Sequence, residues 1–209
     1  TVKGAEAPAH MPQAKRSLGL IYAVNPFGAD HQSSEHDPMI EEGAADLYMG
    51  RLKLLGFDHT LEPRSLDAEK VRYALKTQHF YSFLDSADLC QFVWGPAWTL
   101  YGPQESVDFV RAVTGWDDFS LDELLIVGER RLNLMRAFNA REGLGRAADK
   151  LPKKFFKALA GSGPTAGVAL TEEEIETAKD LYFEMSGWDN ATGNPTPETL
   201  ARLGLDWVM

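Results

Sequence analysis

Apolar residues recur along most of this chain at the three-to-four-residue spacing of an α-helix, and strict alternation, the mark of a half-buried strand, is nearly absent. Ile40, Ala44, Leu47, Met49, Leu52 and Leu55 keep that spacing and Gly56 closes the run, which predicts a helix over 39–55. Another begins after Ser65, where Val71, Leu75, Phe80, Phe83 and Leu84 lead directly to Asp85 and Cys90. Residues 104–115 read as a short helix ended by Gly115. Over 120–143, Ser120 and Glu123 have capping-box spacing, and Leu124, Val127, Leu134, Met135 and Phe138 supply an inward stripe. Thr171 and Glu174 repeat the box before a helix, and Thr196, Pro197 and Gly204 frame a final short one.

Two stretches break the pattern. Residues 1–38 hold Pro8, Pro12, Pro26 and Pro38, with "SLGLIYAV" as the one apolar run. They are expected to form a long irregular segment packing on a part of the protein outside this chain. Residues 151–167, ending in "GSGPTAG", read as a solvent loop. The expected architecture is therefore all-α and multihelical. It comprises an irregular segment over 1–38 and one helical domain over 39–209 that carries Asp85 and Cys90.

Composition narrows the function classes. The net charge of −10, with no basic stripe, argues against nucleic-acid binding. No apolar run approaches the roughly 20 residues that span a bilayer, and no signal peptide opens the sequence. One cysteine permits neither an internal disulfide nor a self-contained multi-cysteine metal site, and fits a cytoplasmic setting. The chain begins with Thr1 rather than Met, which suggests an incomplete polypeptide.

Candidate chemistry is sparse. The histidines at 10, 31, 36, 59 and 79 are scattered, and there is no H-E-x-x-H, Gly-rich phosphate loop or nucleophile elbow. In "GADH" (28–31), Gly28 permits an unusual backbone, and His31 is a possible proton carrier beside a carbonyl, with Tyr22 close by in sequence. The plainer alternative is that Asp30 and His31 turn the chain. Asp85 and Asp88 are three residues apart in "LDSADLCQF", suited to accepting hydrogen bonds from a heterocycle, and Cys90 follows as a soft metal ligand. The plainer alternatives are a solvated helix end and a small buried hydrophobe.

Five stretches taken together resemble the tungsten-containing aldehyde:ferredoxin oxidoreductases: "VKGAEAPAHMP…SLGLIYAVNPFGADH", "LDSADLCQF", "GERRLNLMRAFNAREG", "ADKLPKKFF" and "GWDNATGNPTPETLARLGLD". Their order and spacing run through essentially the whole chain and correspond to the C-terminal portion of that family. The resemblance implies a multihelical fold of the aldehyde ferredoxin oxidoreductase type. It also implies oxidation of aldehydes to carboxylic acids on a tungsten-bis-pterin of the molybdopterin type, with electrons leaving through a [4Fe–4S] cluster to ferredoxin. Asp85 would bind a pterin, Leu89 would add backbone contacts, and Cys90 would be one of four cluster thiolates. His31 would be the active-site histidine. The partners implied are the N-terminal pterin-binding portion of the same enzyme, ferredoxin and an aldehyde, with no nucleic acid and no membrane; a homo-oligomer is left open. The isolated chain would be inactive. The family's D-x-x-G-L-C motif has a glycine where this sequence has Asp88. That departure motivates the alternative of a cofactor-free helical binding or assembly module from the same family.

Overall fold

The structure, a computed structural model, describes residues 1–208. The described residues form eight α-helices in chain order: α1 (Arg16–Val24), α2 (Asp46–Leu52), α3 (Ala68–Ser86), α4 (Gln91–Trp94), α5 (Pro103–Thr114), α6 (Leu121–Arg141), α7 (Glu172–Ser186) and α8 (Pro197–Arg202). Single 3-10 turns link several of them, and strand-like pairing among the described residues is confined to two isolated bridges, Val2 with Ala5 and Trp188 with Pro195. The all-α expectation holds.

Helix α3 is the spine because it is buried nearly all round. Val71, Ala74 and Leu75 join α1 and α7 in one core, while Tyr73, Phe80, Phe83 and Leu84 join α2, α5 and the first turns of α6 in another. Its start is set by Asp67, whose carboxylate accepts from Glu69 N at 3.1 Å and Lys70 N at 3.0 Å. Buried polar residues on α3 find partners: Gln78 accepts from the Tyr182 hydroxyl at 2.5 Å and Thr77 donates to the Tyr73 carbonyl at 2.9 Å.

Three expectations need correction. The N-terminal segment is not a long irregular one. "RSLGLIYAV" forms α1, every residue of which after Arg16 is buried against α3 and α7, because its prolines lie outside the helix. Asp37 supplies the missing cap from a distance, accepting from Ser17 N at 2.9 Å and Ser17 Oγ at 2.7 Å. The helix expected over 39–55 is reduced to Asp46–Leu52 plus a turn to Leu55, because Gly43 and the extended backbone of Ala45 interrupt its start. On α6 the inward face is rotated: Leu124, Leu125, Gly128, Leu132 and Arg136 are buried, whereas Leu134 and Phe138 are exposed. A close crossing with α3 at Gly128 sets that rotation. A Cβ on Gly128 would lie 1.8 Å from the His79 carbonyl oxygen.

The far end of α6 is tied down by charge. Arg136, fully buried, makes a bidentate pair with Asp149 at 2.9 and 2.5 Å and donates to the Gly193 carbonyl at 2.7 Å. Lys3 reaches the same carboxylate at 2.7 Å, Lys179 donates to the Asp149 carbonyl at 2.8 Å, and Trp188 packs under the guanidinium. Burial lowers the Lys3 pKa, and the Asp149 charge opposes that shift.

Candidate functional site

Two chain segments meet on one surface: the "GADH" loop after α1 and the C-terminal end of α3. At the helix end the backbone folds back. Asp88 has φ +56°, and Leu89 N donates to the Leu84 carbonyl at 2.9 Å, the six-to-one bond of a Schellman stop. The left-handed residue there is most often glycine, and aspartate is among the few L-residues that adopt it at modest cost. Cys90 then caps α4, its carbonyl accepting from Val93 N and Trp94 N, both at 3.0 Å. Its thiol group is exposed, so the buried-hydrophobe alternative does not hold.

Asp85 is held from two sides, by Gln91 Nε2 at 2.7 Å and by Arg131 at 3.0 Å. Partial burial raises its pKa, Arg131 opposes the shift, and Asp30 adds to it. The two loops are thus electrostatic neighbours, and a narrow crevice lined by Phe27, Ser33, Ser82, Asp85 and Arg131 runs between them.

In the "GADH" loop Gly28 adopts φ +99°, and a Cβ there would sit 2.6 Å from the Val2 carbonyl, so the position requires glycine. Asp30 does turn the chain, accepting from Gln32 N at 3.1 Å and Ser33 Oγ at 2.7 Å. That releases the half-exposed His31 from the turning role. Its ring lies 5.1 Å from that of His10 and 6.4 Å from that of His36. Lys15 Nζ sits between the other two, 3.2 Å from His10 Nδ1 and 3.1 Å from His36 Nδ1. His36 Nε2 donates to the His31 carbonyl at 2.8 Å, so its Nδ1 is an acceptor from the Lys15 ammonium. Burial and the neighbouring Lys15 push the His10 pKa down to about 4, and burial also lowers that of His36.

A cavity of about 110 Å³ opens beside His31, lined also by Ser34, Glu35, His36, Met39 and Tyr81. Glu35 is buried, accepting from the Tyr81 hydroxyl at 2.6 Å and from Ala97 N at 3.1 Å. Tyr22 does not line this cavity. It is buried within α1, and burial together with Asp30 raises its pKa. Sequence reasoning missed His10, Lys15, Glu35, His36 and Tyr81, because nothing in their spacing marks them and only the packing of α1 on α3 brings them together.

The sequence matches the family described as aldehyde ferredoxin oxidoreductase, domains 2 and 3, over residues 1–205. The chain belongs to that family. It is 31% identical over its whole length to the tungsten-containing aldehyde ferredoxin oxidoreductase of Pyrococcus horikoshii, and 30% identical over 98% of its length to that of Pyrococcus furiosus. A WOR-like subunit of the aliphatic sulfonate oxidoreductase of Pyrococcus furiosus is 31% identical over 59% of the chain. The chain spans 31% of the length of the first of these relatives and 30% of the second. Among solved structures, the active-site complex BamBC of benzoyl coenzyme A reductase, in complex with 1,5-dienoyl-CoA, shares the fold. Its TM-score is 0.53 at 23% identity, covering 67% of this chain and 20% of that one.

The family's relatives are tungsten-containing, and the residues present can be tested against such a group. Among the described residues no cluster of three or more His, Cys, Asp or Glu is arranged to hold a metal ion. What this end of α3 offers such a group is one exposed cysteine at the N-cap of α4 and one carboxylate, Asp85, held by Gln91 and Arg131. The donor set fits as a partial one. No helix of the described residues is long and apolar enough to cross a membrane.

Proposed function

We propose that this chain is the C-terminal portion of a tungstopterin, [4Fe–4S] aldehyde oxidoreductase, and that its exposed end of α3 closes over cofactors held mainly by other parts of the enzyme. The observation that carries this reading is the turn at 85–90, which presents Asp85 and Cys90 outward on a left-handed stop although its usual glycine is Asp88. Asp85 would accept hydrogen bonds from pterin N–H groups, Leu89 would pack its backbone beside the ring, and Cys90 would supply one of four cluster thiolates. The tungsten–pterin group, when bound, supplies the two-electron oxidation, and ferredoxin takes the electrons onward.

The chain's own task is to bind, orient and manage protons. His31, anchored through its carbonyl by His36, stands half-exposed beside the cavity and exchanges a proton with the reacting aldehyde and water. Alone, with one thiol, the chain binds no four-iron cluster and is inactive.

Cys90→Ser tests the reading in the polypeptide that carries this chain. Iron content and visible absorption should fall sharply, while the metal-free forms of variant and wild type should differ in stability by no more than about 0.5 kcal/mol, as for exposed sites generally. A colourless, metal-free wild-type preparation would instead favour a cofactor-free assembly module, the reading to which the Asp88 carboxylate lends weight.

A further inference from the structure

We infer that Glu35 is the proton-holding residue of the His31 cavity: it receives, through water in that cavity, the proton His31 takes from the substrate, and acts through His31 rather than on the aldehyde. The inference rests on the functional reading above. Oxidising an aldehyde with water breaks the aldehyde C–H bond and a water O–H bond and forms a C–O bond. It yields a carboxylic acid, two electrons and two protons. The electrons go to the tungsten–pterin oxidant, and the protons need acceptors on the protein or in solvent.

Geometry selects Glu35 as one of them. It is 2% exposed, and among the described residues no cation pairs with it. The groups facing it are hydroxyls, imidazoles and one amide: Tyr81 at 2.6 Å, Ala97 N at 3.1 Å, Tyr48 and Tyr73, which hydrogen-bond each other at 2.9 Å, and His31 and His36 across the cavity. A purely structural anion in such a place is normally matched by a positive charge. The cavity of about 110 Å³ is several times what one water needs, so a short chain of waters can join the imidazole to the carboxyl. Burial holds the Glu35 carboxyl up at about 7, with the Tyr81 hydroxyl and the Ala97 amide pulling it the other way. Both protonation states are therefore populated near neutrality.

Glu35 also has a structural side. Its carboxylate bonds Ala97 N in a loop where Ala97 and Trp98 have φ +53° and +42°. A test must separate the two roles. In the holoenzyme, infrared difference spectra taken across about pH 5–9 should show a buried carboxylic acid band that titrates near 7 and is absent in Glu35→Gln. The kcat profile of wild type should rise through the same pH, and Glu35→Gln should lose that limb with about a tenfold lower kcat on the plateau. Tyr81→Phe keeps the carboxyl and removes a donor to its charged form, so band and kcat limb should both move up by about one pH unit. Superimposable kcat profiles for the three proteins, or a carboxyl band that does not titrate, overturn the proton-holding role. Metal analysis on the same samples separates the two failures. A wild type without tungsten or aldehyde oxidation overturns the functional reading, and this inference with it.

Discussion

Gly128→Ala sets two effects of opposite sign against each other. In the interior of α6, alanine is favoured over glycine by about 1 kcal/mol because it restricts the unfolded chain and helps the helix. The same methyl group would fall 1.8 Å from the His79 carbonyl oxygen and 3.0 Å from Phe83 N, on the backbone of α3. Backbone cannot swing aside as a long side chain does, so the two helices must part by roughly 1 Å, a gap that already forfeits a quarter to a half of each dispersion contact. Leu124 and Leu125 on α6 and Phe80, Phe83 and Leu84 on α3 share the core at this crossing. At about 2 kcal/mol for each buried side chain, the separation costs about 3–5 kcal/mol, leaving a net loss of about 2–4. Urea denaturation of the polypeptide should read that loss directly, and the midpoint of thermal unfolding should drop by roughly 5–15 °C. Gly50→Ala is the matched control: this glycine is also helical, in α2, but a Cβ there meets nothing within 4 Å, so the change should be neutral or stabilising by up to about 1 kcal/mol. If Gly128→Ala behaves like Gly50→Ala, the close crossing does not exist and the account of the rotated α6 face goes with it.

Removing the charge of Asp149 leaves Arg136 and Lys3 buried without their anion, so Asp149→Asn should cost about 3–5 kcal/mol by urea denaturation with no change in any metal content of the folded fraction. Glu35, held up at about 7 against an unfolded value near 4.5, favours folding only while protonated. That contribution is fully present below the unfolded value, and stability falls by about 3 kcal/mol as pH rises from 4.5 to 7; Glu35→Gln should abolish that slope in denaturation curves taken across the range. His79, buried and held down at about 4, acts oppositely and loses stability as pH falls from 6.5, so a steeper loss on the acid side should persist in the same variant. Asp88→Gly keeps the left-handed stop without a Cβ and should raise stability by up to about 1 kcal/mol in thermal unfolding, whereas Asp88→Val should lower it by about 1–2.

Helix starts were legible because they are written in local chemistry. Ser120 with Glu123, Thr171 with Glu174 and Thr196 form the caps their spacing predicts. What local chemistry does not carry is which face of a helix is inside. On α6 the apolar positions Leu134 and Phe138 suggest one stripe, but backbone contact at Gly128 and the ion pair at Arg136 impose another. Helix α1 was missed because an eight-residue apolar run between prolines looks too short to stand alone, as it would be without α3 and α7 to bury it. The same holds at the candidate site. Asp85, Leu89 and Cys90 are adjacent in sequence and could be singled out, whereas His10, Lys15, Glu35 and His36 become neighbours only through tertiary packing.

The quoted motifs therefore divide by physical role. Lys3 of "VKGAE", Arg136 of the "GERRLNLMRAFNAREG" helix, Asp149 of "ADKLP" and Gly193 of "GWDNATGNP" converge on one buried charge network. Trp188 of that last stretch adds a bond to Asn133 at 2.8 Å. Residues spread from 3 to 193 thus depend on one another, because either charged partner alone is a stranded charge. The turn at 85–90 works differently. Its demand is for a backbone conformation, which aspartate meets at modest cost, and the rest of its character lies in groups turned outward. Replacing a glycine there by Asp88 can leave the fold intact while altering what the surface receives. Stability measurements on the charge network and binding measurements on the turn accordingly report on separate properties of the same chain.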